Sequence, residues 1–241
     1  MTGQLLVAPR YCGPPGTGNG GYVSGLIASH VDGPAEVTLR RPPPLGTPMA
    51  VHRDGGQAIR VLDGPTLVAE AARAPADLAV DLPAPVSIQD ARAAGRGSRL
   101  RTHPGEHPFP RCFVCGPARP PGDGLRIHAG PVAGRELSAD AWCPDESLAG
   151  PDGQVRAEFL WAALDCPGGI GAFGNSALAG PPFVLGRFAV QQTGVVRAGE
   201  AHAVAGWRLA RDGRKMLAGS ALFTAAGQAV AVARATWVRL G

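Results

Sequence analysis

The chain is poor in aromatic residues, in lysine and in long apolar runs. Aromatic residues make up 5% of the 241 positions, and Lys215 is the only lysine. No run approaches the roughly 18 consecutive apolar residues of a membrane-spanning helix, so we expect no transmembrane segment. The first residues, MTGQLLVAPRYCG, lack a charged segment followed by a long apolar core, so we also expect no signal peptide.

Cysteine is scarce and unevenly spaced. The chain has 5 cysteines, an odd number that does not form a regular framework of pairs. Secreted domains that depend on disulfides carry cysteines in even numbers, whereas a reducing cytoplasm keeps thiols free. We therefore expect a cytoplasmic protein with free thiols.

The net charge is modest and gives weak support to a nucleic-acid-binding role. The formal charge is +4, and nearly all of the positive charge is arginine. The arginines are scattered, with no basic run longer than Arg40-Arg41 and no interleaved aromatic residues. This arginine bias, together with abundant Ala, Gly and Pro, is most simply the coding bias of a GC-rich genome. We expect no nucleic-acid partner and no membrane partner.

The apolar content of 45% is sufficient for a sizeable core, and Gly and Pro together make up about a quarter of the residues. Residues 82–110 are rich in Ala, Arg, Gly and Pro and have no sustained periodicity, which predicts a linker with one short helix around Ser87–Ala94. The linker separates an N-terminal half, 1–81, from a C-terminal half, 111–241.

The two halves share one plan of elements. In the N-terminal half the pattern predicts a strand at Gln4–Val7, a helix at Asn19–His30 and four further strands, at Ala35–Arg41, Pro48–Arg53, Gln57–Leu62 and Thr66–Ala72. In the C-terminal half it predicts strands at Gly124–His128 and Arg135–Trp142, a helix at Val155–Phe173 with Asp152 as its N-cap, and strands at Phe183–Gln192, Ala201–Ala210, Lys215–Thr224 and Ala229–Leu240. Asp63-Gly64 and Asp212-Gly213 are typical of hairpin turns.

This order predicts an α+β fold in which each antiparallel sheet wraps one helix, and it resembles a known family. The element order resembles the hotdog fold, and the duplication resembles double-hotdog acyl-CoA thioesterases. The segment CFVCGPARPPGDGLRI, Cys112–Ile127, is similar to the CF-x-CG-x-x-NP-x-GL motif that opens many thioesterase-superfamily domains, and AALDCPGG resembles their central helix. The resemblance implies two tandem hotdog domains that form a pseudo-dimer with a continuous sheet.

The resemblance also implies a site. In the phenylacetyl-CoA and aryl-CoA branches the central helix begins HGG and carries an acid nine residues after the histidine. In the C-terminal half Asp165 takes the place of the acid, but Arg156–Glu158 stands where HGG is expected. In the N-terminal half Asn19–Gly21 takes the place of HGG, but Ala28 stands where the acid is expected. Each half therefore keeps what the other lacks.

Hotdog dimers share their active sites across the interface, so we expect one good site in the fused chain. In this hypothesis Asp165 is the general base or nucleophile, the Gly20/Gly21 loop supplies backbone N–H donors to the oxyanion, and Asn19 adds a side-chain donor. Burial would raise the Asp165 pKa and make it a better base. The site at Ala28 and Arg156 would be inactive.

Structural interpretations of these residues remain open. Asp165 can be a helix C-terminal residue before Pro167, the glycines can be a simple turn into the helix, and Asn19 can be only an N-cap. Phe159 and Trp161 are core or pocket wall.

Cys112-x-x-Cys115 raises the question of zinc, which needs about four ligands at a structural site. Four other residues could complete a zinc site, but their positions in the sequence do not follow the spacing of known zinc ligands: His103, His107, His128 and Cys143. We therefore predict buried thiols in a turn, with no metal, and the zinc alternative stays open. A redox pair is less favoured, because the sequence after these cysteines does not open a helix. Cys166 as a nucleophile has no histidine base near it in the sequence.

The predicted function is acyl-CoA thioester hydrolysis, with coenzyme A as part of the substrate and no other cofactor. The alternative is a non-catalytic protein of hotdog fold that binds acyl-CoA or a fatty-acyl chain. A hotdog hydratase is disfavoured, because no histidine follows Asp165 at the D-x(4)-H spacing. Several arginines could contact the coenzyme A phosphates: Arg40, Arg41, Arg187, Arg197 and Arg208. Fused hotdog proteins often assemble further, so the resemblance also implies a homo-oligomer.

Overall fold

The computed structural model describes residues 3–54 and 58–240. Its helices are α1 (Gly20–Ala28), α2 (Ile88–Arg96), α3 (Arg99–Thr102) and α4 (Ala157–Phe173). Its strands are β1 (Gly3–Leu5), β2 (Ala35–Leu39), β3 (Met49–Asp54), β4 (Ala58–Asp63), β5 (Thr66–Arg73), β6 (Gly130–Pro131), β7 (Leu137–Trp142), β8 (Phe183–Gln192), β9 (His202–Asp212), β10 (Lys215–Phe223) and β11 (Ala229–Arg239).

All of these strands belong to one antiparallel sheet, in the order β1-β3-β4-β5-β2-β8-β11-β10-β9-β7-β6. The five strands β1 to β5 follow the order first-third-fourth-fifth-second, and the five strands β7 to β11 follow the same order in mirror direction. In each set the first and second strands are separated in sequence by one helix, α1 or α4. The mixed α+β class predicted from the sequence is therefore confirmed, with the two strand sets side by side.

The two sets of strands join through β2 and β8. These strands pair antiparallel from Ala35 opposite Val190 to Thr38 opposite Arg187. On this junction the Glu36 carboxylate lies 3.6 Å from Arg187 and 3.5 Å from Arg234. Such partly exposed ion pairs contribute little stability, so the backbone ladder and the buried side chains beneath it hold the junction.

Helices α1 and α4 pack against each other in antiparallel directions through glycine. A Cβ atom at Gly25 would lie 2.6 Å from the Glu158 Cα, and one at Gly21 would lie 2.9 Å from the Trp161 carbonyl oxygen. Both distances are shorter than a side chain tolerates, so only glycine permits this contact. The two glycines are four residues apart and lie on one face of α1, which brings the start of α1 against the middle of α4.

Helix α4 also approaches the sheet unusually closely. A Cβ at Gly171 would overlap the carbonyl of Gly206 on β9, and the Ser220 hydroxyl on β10 donates to the Leu164 carbonyl at 2.7 Å. The helix continues through Pro167, which lacks an N–H donor. Asp165 is therefore in the middle of the helix and not at its C-terminus.

Most elements predicted from the sequence are confirmed. The helix predicted around Ser87–Ala94 is α2, and Ser87 is its N-cap, accepting from the Asp90 N–H. The segment 82–110 was expected to hold one helix, but it also contains α3, which Ser98 caps. Both hairpins are present, with Gly64 and Gly213 at positive φ of 54° and 56°. Gln57, at the start of one predicted strand, lies outside the described residues. No helix among the described residues is long and apolar enough to cross a membrane.

Two predictions about the C-terminal half are wrong. Gly124–His128 is not a strand, because Gly124 and Arg126 have positive φ of 104° and 54° that break the extended conformation. The segment still pairs locally, with the Leu125 N–H donating to Phe113 O. Asp152 is not the N-cap of α4. Its carboxylate accepts from the Gln154 N–H, and Arg156 holds the N-cap position without a side-chain cap.

The close contact between α4 and β9 gives a prediction for Gly171→Ala. Its methyl group would overlap the Gly206 carbonyl, so we expect a loss of about 2 kcal/mol in the free energy of unfolding, despite the better helix propensity of alanine. Urea denaturation measures the change. Gly105→Ala is the control, because nothing lies within 4 Å of a Cβ there. Equal midpoints for Gly171→Ala and the wild type would contradict the packing described.

Candidate active site

The Asp165 carboxylate on α4 meets the beginning of α1. Its Oδ2 accepts a hydrogen bond from the Gly21 N–H at 2.9 Å and another from Asn19 Nδ2 at 3.0 Å. Asp165 and Gly21 are separated by 144 residues in the chain. The structure therefore brings together all four residues singled out from the sequence, Asn19, Gly20, Gly21 and Asp165, across the boundary between α1 and α4.

Asp165 is deeply buried, with an exposed fraction of 2%. Its Oδ1 has no hydrogen-bond partner in the part of the chain that the structure describes. Burial raises the pKa of the Asp165 carboxyl from 3.8 to about 7, because loss of hydration outweighs the two hydrogen bonds that favour the charged form. The direction agrees with the expectation from the apolar sequence around it.

Asn19 has two roles, and its orientation is determined by one of them. As the N-cap of α1, its Oδ1 accepts from the Tyr22 N–H at 2.9 Å. The amide oxygen is thereby directed to the helix backbone, and the NH₂ group must point the other way, to Asp165. The capping interpretation and the site interpretation of Asn19 are therefore compatible.

Gly20 and Gly21 differ in what their N–H groups do. The Gly21 N–H is engaged by Asp165, whereas the Gly20 N–H has no protein partner among the described residues. Gly20 also borders the cavity beside the site. It lies in the first turn of α1, where the helix dipole is positive. Of the two N–H groups, that of Gly20 is therefore the one without a partner in the described chain.

A cavity of about 450 Å³ borders Asp165 and the start of α1. Its wall is largely apolar, with side chains contributed by α4, β8 and the end of β11: Ile170, Phe183, Leu185, Trp237 and Val238. Phe183 packs edge-on against Trp237, with ring centroids 5.5 Å apart. This volume and lining are typical of small-molecule sites, in which a few polar groups orient an apolar ligand.

The corresponding position on the other side of the helix pair is different. Asn19 is the N-cap of α1, and Arg156 is the N-cap of α4. Ala28 and Asp165 each lie nine residues after the N-cap of their helix, so the two positions correspond. At this second position Ala28 has no carboxylate, and Arg156 lies 3.4 Å from Glu158 and over the Phe159 ring, 4.7 Å from its centroid. At the start of α4 the opposite helix contributes no carboxylate, and the acid present among the described residues is Glu158, in the first turn of α4 itself.

Cysteines also border the cavity. Cys112 and Cys115 are buried, as predicted, and Cys166 on α4 joins them. No sequence motif pairs Cys166 with these two residues. Its position directly after Asp165 was the only available signal, because Cys166 comes 51 positions after Cys115 in the chain. Of the histidines considered as partners, His107 is in contact with the group, with Nε2 3.2 Å from the Cys115 Sγ.

The arginines considered as phosphate ligands differ in their distance from the cavity: two border it and three do not. Arg40 and Arg41 border the cavity, whereas Arg187, Arg197 and Arg208 are not among its lining residues. Arg40 donates to the Glu70 carboxylate at 2.6 Å. Arg41 is exposed at the mouth of the cavity, next to Pro42 and Pro43.

No family model matches the chain, and no curated protein matches its sequence. Solved structures do match. The acyl-CoA thioesterase II TesB2 from Mycobacterium marinum aligns over 99% of this chain and 93% of its own, with a TM-score of 0.62 and 13% identity. A tesB protein from Mycobacterium avium subspecies paratuberculosis aligns over 100% and 92%, with a TM-score of 0.59 and 14% identity. These similarities confirm, for the fold, the resemblance to double-hotdog acyl-CoA thioesterases.

The dual role of Asn19 leads to a graded prediction. Asn19→Ala removes both the helix cap and the hydrogen bond to Asp165, so we expect it to lower the free energy of unfolding by about 2 kcal/mol. Asn19→Ser keeps a cap and should lose about 1 kcal/mol less. Urea denaturation compares the two with Ser87→Ala, which removes a cap remote from the site. Equal losses for Asn19→Ala and Ser87→Ala would contradict a stabilising bond to Asp165.

Proposed function

We propose that the chain hydrolyses acyl-CoA thioesters at the site formed by Asp165, Asn19, Gly20 and Gly21. In this proposal the chain is an internal duplication of two tandem hotdog units, residues 1–81 and 111–241, joined by a linker at 82–110. The identical strand order of the two sets supports the duplication. The β2–β8 ladder corresponds to the continuous sheet of a hotdog dimer.

One observation carries the proposal: the Asp165 carboxylate is hydrogen-bonded at 2.9 Å to the start of the other central helix, beside a cavity. A carboxylate that served only the structure would normally have both oxygens satisfied, because an unpaired buried acceptor costs free energy. Here Oδ1 has no protein partner within the described chain. In this proposal that buried oxygen accepts a proton from a water molecule in the adjoining cavity or attacks the thioester carbon.

The chemistry divides between the carboxylate and the backbone. The hydrogen bonds to Oδ2 hold the carboxylate in one orientation, while Oδ1 accepts a proton from the attacking water. As the carbonyl oxygen of the thioester gains negative charge, the Gly20 N–H donates to it at the positive end of α1. The intermediate then collapses: the C–S bond breaks, and the proton held by Asp165 passes to the departing coenzyme A thiolate. The Gly21 N–H, which the sequence analysis also assigned to the oxyanion, serves in this mechanism to orient Asp165.

The cavity and its rim accommodate the two parts of an acyl-CoA. The apolar wall around Phe183, Leu185 and Trp237 accepts the acyl group, because it offers apolar surface and few polar groups. Arg41 at the mouth can bind the phosphates of coenzyme A through charge-assisted hydrogen bonds. No cofactor other than the coenzyme A of the substrate enters the mechanism.

Replacement of Asp165 by Asn tests the catalytic role. The variant keeps the shape of the side chain and removes the base, so we expect hydrolysis to fall by about 100-fold or more. Because a buried carboxylate is replaced by a neutral amide, the stability should change little. Thiol release from a panel of short, long and aromatic acyl-CoAs measures the activity, and urea denaturation measures the stability.

The exposed Asp152→Asn is the matched control and should retain wild-type turnover. Turnover by Asp165→Asn equal to the wild type would refute the role of Asp165. Binding of acyl-CoA without turnover, by the wild type and both variants alike, would favour the alternative of a non-catalytic acyl-CoA-binding protein.

Arg41→Ala tests the placement of coenzyme A. Losing a charge-assisted hydrogen bond remote from the reacting carbon should raise KM about 10-fold and leave kcat nearly unchanged. Steady-state kinetics on an active acyl-CoA measures both constants, with Arg187→Ala on β8 as the control outside the cavity. An unchanged KM for Arg41→Ala would place the phosphates elsewhere.

A further inference from the structure

Three buried thiols converge where the Cys112–Cys115 turn packs against α4. The Sγ atoms of Cys112, Cys115 and Cys166 all lie within 4.8 Å of one another. Those of Cys112 and Cys166 are 3.7 Å apart. Among the described residues this is the one group of three or more His, Cys, Asp or Glu side chains whose ligand atoms lie so close together.

The spacing of the sulfur atoms is that of ligands to one ion. Thiolate sulfur lies about 2.3 Å from zinc, so two sulfurs at tetrahedral corners are about 3.8 Å apart. The separation of 3.7 Å between Cys112 and Cys166 matches this edge. A disulfide would instead require about 2.05 Å. Cys115 needs only a small adjustment of its side chain to complete a three-sulfur face.

We infer that Cys112, Cys115 and Cys166 form a binding site for a thiophilic metal ion such as Zn²⁺, with a fourth coordination position toward the cavity. All three residues border that cavity, so a water molecule can supply the remaining ligand. The sequence alone predicts no metal here, because only Cys112 and Cys115 have ligand spacing. The third ligand comes from α4 and is brought there by the fold.

Polar groups around the sulfurs suit this role. The Asn19 Nδ2 lies 3.7 Å from the Cys112 Sγ, and the His107 Nε2 lies 3.2 Å from the Cys115 Sγ. Three thiolates around a divalent ion leave one net negative charge, and N–H donors to sulfur stabilise it. Each donor comes from outside the three ligands, as in a supporting shell around a metal site.

His107 supports the cluster as a hydrogen-bond donor and not as a ligand. The Phe109 N–H donates to His107 Nδ1 at 2.8 Å, so Nδ1 carries no proton. In a neutral imidazole the proton is then on Nε2, which faces Cys115 and donates to its sulfur. Nε2 therefore has no lone pair for an ion, and the fourth position stays open.

The ion would connect the turn that follows the linker to the helix that carries Asp165. Cys166 is the next residue after Asp165, so an ion bound there restrains α4 beside the carboxylate. When Zn²⁺ binds, each coordinated thiol loses its proton to solvent and no electron is transferred. The inference does not depend on the proposed hydrolysis, because metal content is measured without a substrate.

The test compares single Cys→Ser variants of the full chain. Wild type, Cys112→Ser, Cys115→Ser, Cys166→Ser and the exposed control Cys143→Ser are purified under reducing conditions from zinc-supplemented medium. Mass spectrometry of the metals should find about one zinc per chain in the wild type and Cys143→Ser, and at least a 10-fold lower content in the three cluster variants. Apoprotein titrated with Co²⁺ should show thiolate-to-cobalt charge-transfer absorption in the same two proteins.

Wild type without zinc and without a cobalt–thiolate band would overturn the inference. Equal zinc loss in Cys143→Ser would also overturn it. Should a cluster variant fail to fold, the cobalt titration of the wild-type apoprotein decides alone, because the band requires thiolate ligands. His107→Ala should keep the band at weaker affinity, by about 10- to 100-fold, and its complete loss would overturn the open fourth position.

Discussion

The contact between the start of α1 and the middle of α4 is the interaction on which the site depends. Gly21 and Gly25 allow the two helix backbones to approach more closely than any side chain would permit. The Gly21 N–H, which the helix itself leaves unpaired, then reaches the Asp165 carboxylate at 2.9 Å. The same hydrogen bond satisfies a helix terminus and orients a buried acid. A larger residue at position 21 would therefore affect packing and chemistry together.

The sheet makes this contact possible by holding the two strand sets in register. Pairing of β2 with β8 joins the two strand sets, and α1 and α4 pack against each other through Gly21 and Gly25. The helices nevertheless differ in what they carry: α4 has Asp165 where α1 has Ala28, and α1 has Asn19 where α4 has Arg156. A duplicated frame with unequal residues explains why the carboxylate, the helix N–H groups and the cavity all occur on one side.

The cavity wall combines three kinds of chemical group. Apolar side chains such as Trp237 provide the volume, the Asp165 carboxylate and the Gly20 N–H provide polarity, and the thiols of Cys112, Cys115 and Cys166 provide soft ligand atoms. Their proximity follows from the position of α4, which contributes Asp165 and Cys166 in succession. Any ion bound by the thiols would therefore act on the same helix turn that holds the carboxylate.

The strands from Phe183 to Leu240 and both hairpins could be predicted from the sequence, because hydrophobic period and turn chemistry are local signals. The placement of Asp165 opposite Asn19–Gly21 was expected only from the resemblance to the hotdog family, since no local signal relates the two helices. The sequence predicted Gly124–His128 wrongly, since positive φ at Arg126 has no local signature. Two features could be seen only in the folded chain: the Gly20 N–H, unlike that of Gly21, has no partner among the described residues, and Cys166 meets Cys112 and Cys115. Both features depend on contacts between segments that are far apart in the chain. Such contacts are determined by tertiary packing and leave no signal in the local sequence.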